Sequence, residues 1–280
     1  MERIKLAIKK AKDGEADSKK SDSHPLRKGP VSEASTARRR GEPGDLGSLK
    51  YEQTAVVSLE PEHLDRHRIV AHQKAHPSSW SFDVLRTQVL QKMDENGWRT
   101  LAITSPSVES GKTLVAINLA MSIAQQTNRT ALLVDFDLRR PSVARYLGLK
   151  RPSSLNDYLS GQVGIAEALV NPGIERLVVL PTNSPVFGAS EVLSSDKVGN
   201  LISELRERYS DRIVIFDLPP VLAADDVMTV LPNIDCVLMV VASGVSTKSE
   251  VEEAMRRLSK AELLGVVLNK DEAPMQNAYY

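Results

Sequence analysis

The chain has 280 residues, 41% of them hydrophobic and only 4% aromatic, with 36 basic residues balanced by 36 acidic ones and a single cysteine. That length allows one large domain or two small ones around an aliphatic core; zero net charge gives no chain-wide reason to expect nucleic acid as a partner, and one cysteine excludes an intramolecular disulfide framework and fits a reducing compartment. No run approaches the ~20 apolar residues that cross a bilayer, and the opening MERIKLAIKKAKDGE lacks a signal-peptide core, so the expectation is a cytoplasmic chain able to sit peripherally on a membrane.

Residues 1–12 set Ile4, Ala7, Ile8 and Ala11 at helical spacing among Lys5, Lys9, Lys10 and Lys12. This reads either as a frayed terminal helix or as an amphipathic docking helix for protein or anionic lipid. Residues 13–77 read as a largely disordered linker. The part from 13 to 50 is dense in Lys, Arg, Ser, Gly, Pro and Glu and has too little apolar surface to offset its ordering entropy. A short strand-like patch, TAVVSL, follows at 54–59. His63, His67, His72 and His76 match no metal-ligand spacing and are expected at the surface.

From residue 78 to 272 the pattern predicts one domain. A helix over FDVLRTQVLQKM leads into the apolar run TLAIT (100–104). Further runs follow at ALLVD (131–135), RLVVL (176–180), IVIFD (213–217), CVLMVVA (236–242) and GVVLN (265–269). Helical segments at 112–126, 190–208 and 247–260 lie between them. Alternation of this kind predicts an α/β fold, a mostly parallel twisted sheet with helices on both faces, and directs attention to the carboxyl ends of its strands. Residues 273–280 form a tail ending in Tyr279 and Tyr280.

Three strand ends carry the chemistry. After the first comes Ser105-Pro106-Ser107-Val108-Glu109-Ser110-Gly111-Lys112-Thr113 and then a helix, the context of a P-loop. Backbone N–H groups of Ser110, Gly111 and Leu114 and the helix N-terminus suit phosphate oxygens, Lys112 suits the β- and γ-phosphates of ATP, and the Thr113 hydroxyl suits Mg²⁺. The loop departs from the usual pattern at Pro106, which replaces the first glycine, and at Glu109, where a side chain opposes positive φ. The second end, Asp135-Phe136-Asp137, puts two carboxylates on one side of an extended chain. They suit Mg²⁺ or a proton from an attacking hydroxyl; capping of the next helix, opened by Pro141, is the alternative. The third end, Asp217 before Pro219-Pro220, is placed as the metal-side carboxylate of P-loop enzymes. Asn269 closes the last strand and suits an adenine edge.

With these residues in hand, 80–280 resembles the bacterial tyrosine kinases of capsule and exopolysaccharide loci (CpsD/CapB type), within the deviant P-loop group that includes ParA and MinD. TSPSVESGKT matches their Walker A motif, LLVDFDLRRP the Walker A′, and IVIFDLPP the Walker B. The resemblance implies an ATP- and Mg²⁺-dependent tyrosine autokinase controlling polysaccharide synthesis or export, with Lys112, Asp135 and Asp137 catalytic and Thr113, Asp135 and Asp217 on the metal. It also implies autophosphorylation of Tyr279 and Tyr280 between subunits of a homo-oligomer, and a membrane-embedded polysaccharide co-polymerase as activator. The family's Glu-x-x-Arg-x-x-Arg ring-assembly helix falls here on Trp80, Asp83 and Arg86, of which only the last matches. A ParA/MinD-like positioning ATPase and a nucleotide-binding adaptor without kinase activity are the other readings of the same residues.

Overall fold

The computed structural model describes residues 54–125, 129–150, 153–209, 211–223 and 225–271, all within one unit spanning Ser48–Tyr280. The expected docking helix 1–12, the linker as far as residue 53, and Tyr279 and Tyr280 lie outside the described residues.

Among the described residues eight strands form one sheet: β1 (Ala55–Val56), β2 (Thr100–Thr104), β3 (Thr130–Asp135), β4 (Val170–Asn171), β5 (Leu177–Leu180), β6 (Arg212–Asp217), β7 (Cys236–Ala242) and β8 (Leu263–Asn269). Their spatial order is β1-β4-β5-β3-β6-β2-β7-β8. Every pairing is parallel except β4 with β5, as expected from strands that are continuous apolar runs. Side chains alternate between two cores. Leu101, Ile103, Leu133 and Ile215 face one, and Ala102, Leu132, Val134 and Phe216 face the other.

The first core is covered by α2 (Ser79–Asn96) and α3 (Lys112–Ala124). All of α3 except Leu114 is buried, which its all-round apolar sequence KTLVAINLAMSIA requires. The second core is covered by α8 (Asp196–Glu207), whose Val198, Leu201, Ile202 and Leu205 make one helical stripe, and by α10 (Lys248–Arg257). Short helices fill the crossovers: α4 (Val143–Leu147), α5 (Leu155–Leu159), α6 (Ile165–Ala168), α7 (Ala189–Leu193) and α9 (Asp226–Val230). The stretch predicted as one helix over 190–208 is two, because Ser195 is extended before the new start at Asp196 and its hydroxyl donates back to the Val192 carbonyl at 2.6 Å. Among the described residues no helix is long and apolar enough to cross a membrane.

The expected linker is corrected where it can be seen. Residues 54–77 form a strap that is docked on the domain. The strap contains β1, paired with β4, and α1 (Pro61–Arg66), and it buries Leu64, Ile69, Val70 and Ala71. Asn118, wholly buried on α3, holds it. Its Oδ1 accepts from the Val70 and Ala71 N–H groups at 2.8 and 2.9 Å, while its Nδ2 donates to the Arg68 carbonyl at 3.2 Å. Gln125 adds a bond to the Ala71 carbonyl at 2.7 Å. His63 and His67 are stacked with centroids 4.3 Å apart, and His63 Nε2 meets the Arg145 carbonyl at 2.8 Å, so these histidines tie α1 to α4. An apolar Leu at position 118 orphans two buried strap groups, the Val70 and Ala71 N–H, at about 1–3 kcal/mol each, and removes the part-buried bond to the Arg68 carbonyl. Asn118→Leu is therefore expected to lower the melting temperature and open a protease site within 61–78; wild-type digestion kinetics in the variant would refute this account of the strap.

The positions aligned with the ring-assembly helix are used locally. Arg86 pairs with Asp83 at 2.6 Å and donates to the Ser122 hydroxyl at 3.1 Å, whereas Trp80 is exposed.

Candidate active site

The carboxyl ends of β2, β3 and β6 are adjacent because these strands are neighbours in the sheet. The register sets Asp135 directly beside Asp217. The loop leaving β2 enters α3 through Gly111, whose φ is 83°; a Cβ there would come within 2.2 Å of the Asn269 amide. Asn269 Nδ2 donates to the Ser110 carbonyl at 2.9 Å, so the end of β8 fixes the loop. Glu109 adopts φ 62°, the left-handed conformation that its side chain disfavours. Among the described residues no side chain caps the N-terminus of α3, which leaves its first-turn N–H groups to an anion.

Lys112 lies in the middle of the acidic groups. Its ammonium is 2.8 Å from Asp137 Oδ2 and 3.4 Å from Asp217 Oδ1. The Thr113 hydroxyl donates to Asp217 Oδ2 at 2.6 Å and meets the Ser142 hydroxyl at 3.0 Å. Asp135 Oδ2 accepts the Ser142 and Val143 N–H groups, both at 2.9 Å. Asp135 therefore caps α4 as well as facing Asp217, and Asp137 is the carboxylate turned to the lysine. Burial alone would lower the Lys112 pKa, but Asp217 and Asp137 outweigh it and hold the ammonium charged. Burial, with Asp217 beside it, pushes the Asp135 carboxyl up to about 8 against the pull of the Val143 N–H and Lys112. Burial also raises Asp217, opposed by Lys112 and the Thr113 hydroxyl.

Lys112, Thr113, Asp137 and Ser142 open onto a cleft of about 360 Å³, bordered also by Arg139, Arg140 and Arg145. Arg139 is braced by Asp226, at 2.7 Å from Nε, and by the Ser190 hydroxyl at 3.1 Å. Ser142 and this Arg139–Asp226–Ser190 brace were not predicted. Asp226 had a signal in the acidic pair of PPVLAADD, but Ser142 had none beyond its place before a short helix. Every predicted loop and strand-end residue from Ser110 to Leu114, with Asp135, Asp137, Asp217 and Asn269, gathers at this end of the sheet. Cys236 is buried in β7, away from these strand ends. The donor set, one ammonium, one hydroxyl and three carboxylates beside a bare helix N-terminus, fits a polyphosphate with Mg²⁺.

Residues 99–262 match a family described as "AAA domain". The tyrosine-protein kinase CpsD of Streptococcus pneumoniae serotype 4 is 30% identical over 175 residues, 61% of this chain and 76% of that protein. The tyrosine-protein kinase wzc of Salmonella typhi is 33% identical over 187 residues, 66% of this chain; the match spans only 26% of that longer protein. Among solved structures, the kinase domain of Escherichia coli tyrosine kinase ETK superposes with a TM-score of 0.69 at 27% identity, covering 80% of this chain and 91% of that one.

Proposed function

The chain belongs to the bacterial tyrosine-protein kinase family of P-loop proteins, and we propose that it transfers the γ-phosphoryl group of ATP to tyrosine hydroxyls, Tyr279 and Tyr280 among them. The observation that carries this reading is Lys112, held between Asp137 and Asp217 at the start of α3 with Thr113 on the same aspartate.

Ser110, Gly111 and Leu114 present backbone N–H groups to the phosphates, and Lys112 places its charge on the group being transferred. Thr113 and Asp217, with Asp135 beside them, form the oxygen set that would hold Mg²⁺, which supplies neutralisation of phosphate charge when bound. Asp137, the aspartate that lines the cleft beside Lys112, is the group that accepts the proton of the tyrosine hydroxyl. Asn269 secures the loop and borders the nucleotide. Asp135 also holds α4, and Ser142 with it, against Thr113. Catalysis is then mainly positioning and charge compensation.

The biological setting proposed is control of exopolysaccharide or capsule synthesis or export. A membrane-embedded polysaccharide co-polymerase would act as activator, bringing the kinase to the inner face of the cell membrane, and tails would be phosphorylated between copies of the chain. The relatives named as tyrosine kinases support this setting.

Purified protein incubated with ATP and Mg²⁺, alone and with the cytoplasmic segment of such a co-polymerase, is expected to yield phosphotyrosine at Tyr279 or Tyr280 by mass spectrometry. ATP hydrolysis without phosphotyrosine would replace this reading with a positioning ATPase, and neither activity would make the chain an adaptor.

A further inference from the structure

Three of the four described non-glycine residues with positive φ, Arg68 (56°), Glu109 (62°) and Lys270 (58°), line a single cavity of about 890 Å³. Left-handed backbone under a side chain persists only where the surroundings over-determine it, and it gathers at ligand sites. These three residues are distant in sequence. They come from the strap, the P-loop and the end of β8.

The cavity adjoins the cleft at Lys112, since Glu109, Gly111 and Tyr146 border both. Its walls differ in chemistry from the phosphate site. Val70, Phe82 and Leu114 are apolar, Gln73 and Asn269 bring amides, and Arg68 brings a planar guanidinium. Apolar faces with a few converging amides suit a flat heteroaromatic ring with donors and acceptors on its edge, and a guanidinium stacks on such a ring. Asp65 and Glu109 also line the cavity; their carboxylates disfavour further phosphate and suit ribose hydroxyls. The strap residues involved are not loosely placed, because the Arg68 carbonyl and the Val70 and Ala71 N–H groups are bonded to Asn118 of the P-loop helix.

We propose that this cavity takes the nucleoside moiety of ATP, so that the strap preceding α2 supplies one wall of the nucleotide site with Arg68 as its positioning residue. The inference rests on the ATP reading of the P-loop. It makes nucleotide occupancy and strap docking mutually dependent: a bound nucleoside bridges the strap to the P-loop, and a detached strap leaves the base without one wall.

Hydrogen exchange on the full chain tests it, with a non-hydrolysable ATP analogue plus Mg²⁺ compared against inorganic tripolyphosphate plus Mg²⁺. The analogue is expected to slow exchange at 68–76 and at Asn269–Lys270 as well as in the P-loop, and tripolyphosphate in the P-loop alone. Arg68→Gly complements this, since glycine adopts φ 56° without strain and the variant keeps its fold. It is expected to weaken analogue binding roughly tenfold and to leave tripolyphosphate binding unchanged. Protection by the analogue confined to the P-loop, or identical protection by both ligands, overturns the inference and leaves the P-loop reading intact. If neither ligand protects the P-loop, the ATP reading fails and the inference falls with it.

Discussion

Lys112→Met is expected to reduce phosphotyrosine formation by at least about 10²–10³-fold, the usual cost of removing one preorganised charge from a transition state. It is also expected to lower the stability of the nucleotide-free protein. Lys112 is the cation between Asp137 and Asp217, at 2.8 and 3.4 Å, and removing one partner of a buried pair typically costs about 3–5 kcal/mol. The two effects separate in a double variant. Adding Asp137→Asn removes one orphaned carboxylate, so Lys112→Met/Asp137→Asn should recover part of the melting temperature and none of the activity. Phosphotyrosine yields from Lys112→Met within tenfold of wild type would remove Lys112 from the chemistry.

The second large effect is on pH. Asp135 holds its proton more tightly in the folded chain, with a pKa of about 8, than in the unfolded one, where a carboxylate titrates near ~4. Between those values the folded state binds more protons, so stability falls as the pH rises and the loss is complete above the folded pKa. Asp217, raised in the same direction by burial, adds to the slope. Without nucleotide or Mg²⁺, the melting temperature should therefore drop from about pH 5 to about pH 8, by about 2–4 °C for each kcal/mol lost. Asp135→Asn, which keeps an acceptor for the Ser142 and Val143 N–H groups, should flatten the curve. A wild-type melting temperature that is level or rising across this range would contradict the burial of an unfavourable carboxylate pair.

The sheet and the acidic ends were legible in the sequence because each is a local signal. TALLVD and RIVIFD are unbroken apolar runs ended by aspartate, and their neighbourhood follows from the rule that parallel strands deliver their chemistry at one end. Beyond its strand, which TAVVSL announces, the strap was not legible, for a physical reason. Its composition is polar, and four residues, Leu64, Ile69, Val70 and Ala71, carry its burial. The groups that fix it belong to Asn118, which stands in a helix that reads as uniformly apolar, and a single amide there gives no hint of the backbone it will bind. The division of labour between Asp135 and Asp137 was equally hidden. Two carboxylates on one side of a strand looked equivalent, until the start of α4 claimed Asp135 for its N–H groups.

The contact between Gly111 and Asn269 also limits how relatives of this chain can diverge. Any side chain at 111 would occupy the space of the Asn269 amide, 2.2 Å from where a Cβ would stand, and a smaller residue at 269 would surrender the bond to the Ser110 carbonyl. The two constraints do not relieve each other. At φ 83° a side chain at 111 is strained even where residue 269 makes room, and no change at 111 restores the bond to Ser110 that a smaller residue at 269 gives up, so each position is held on its own account although one opens the first crossover helix of the domain and the other closes its last strand.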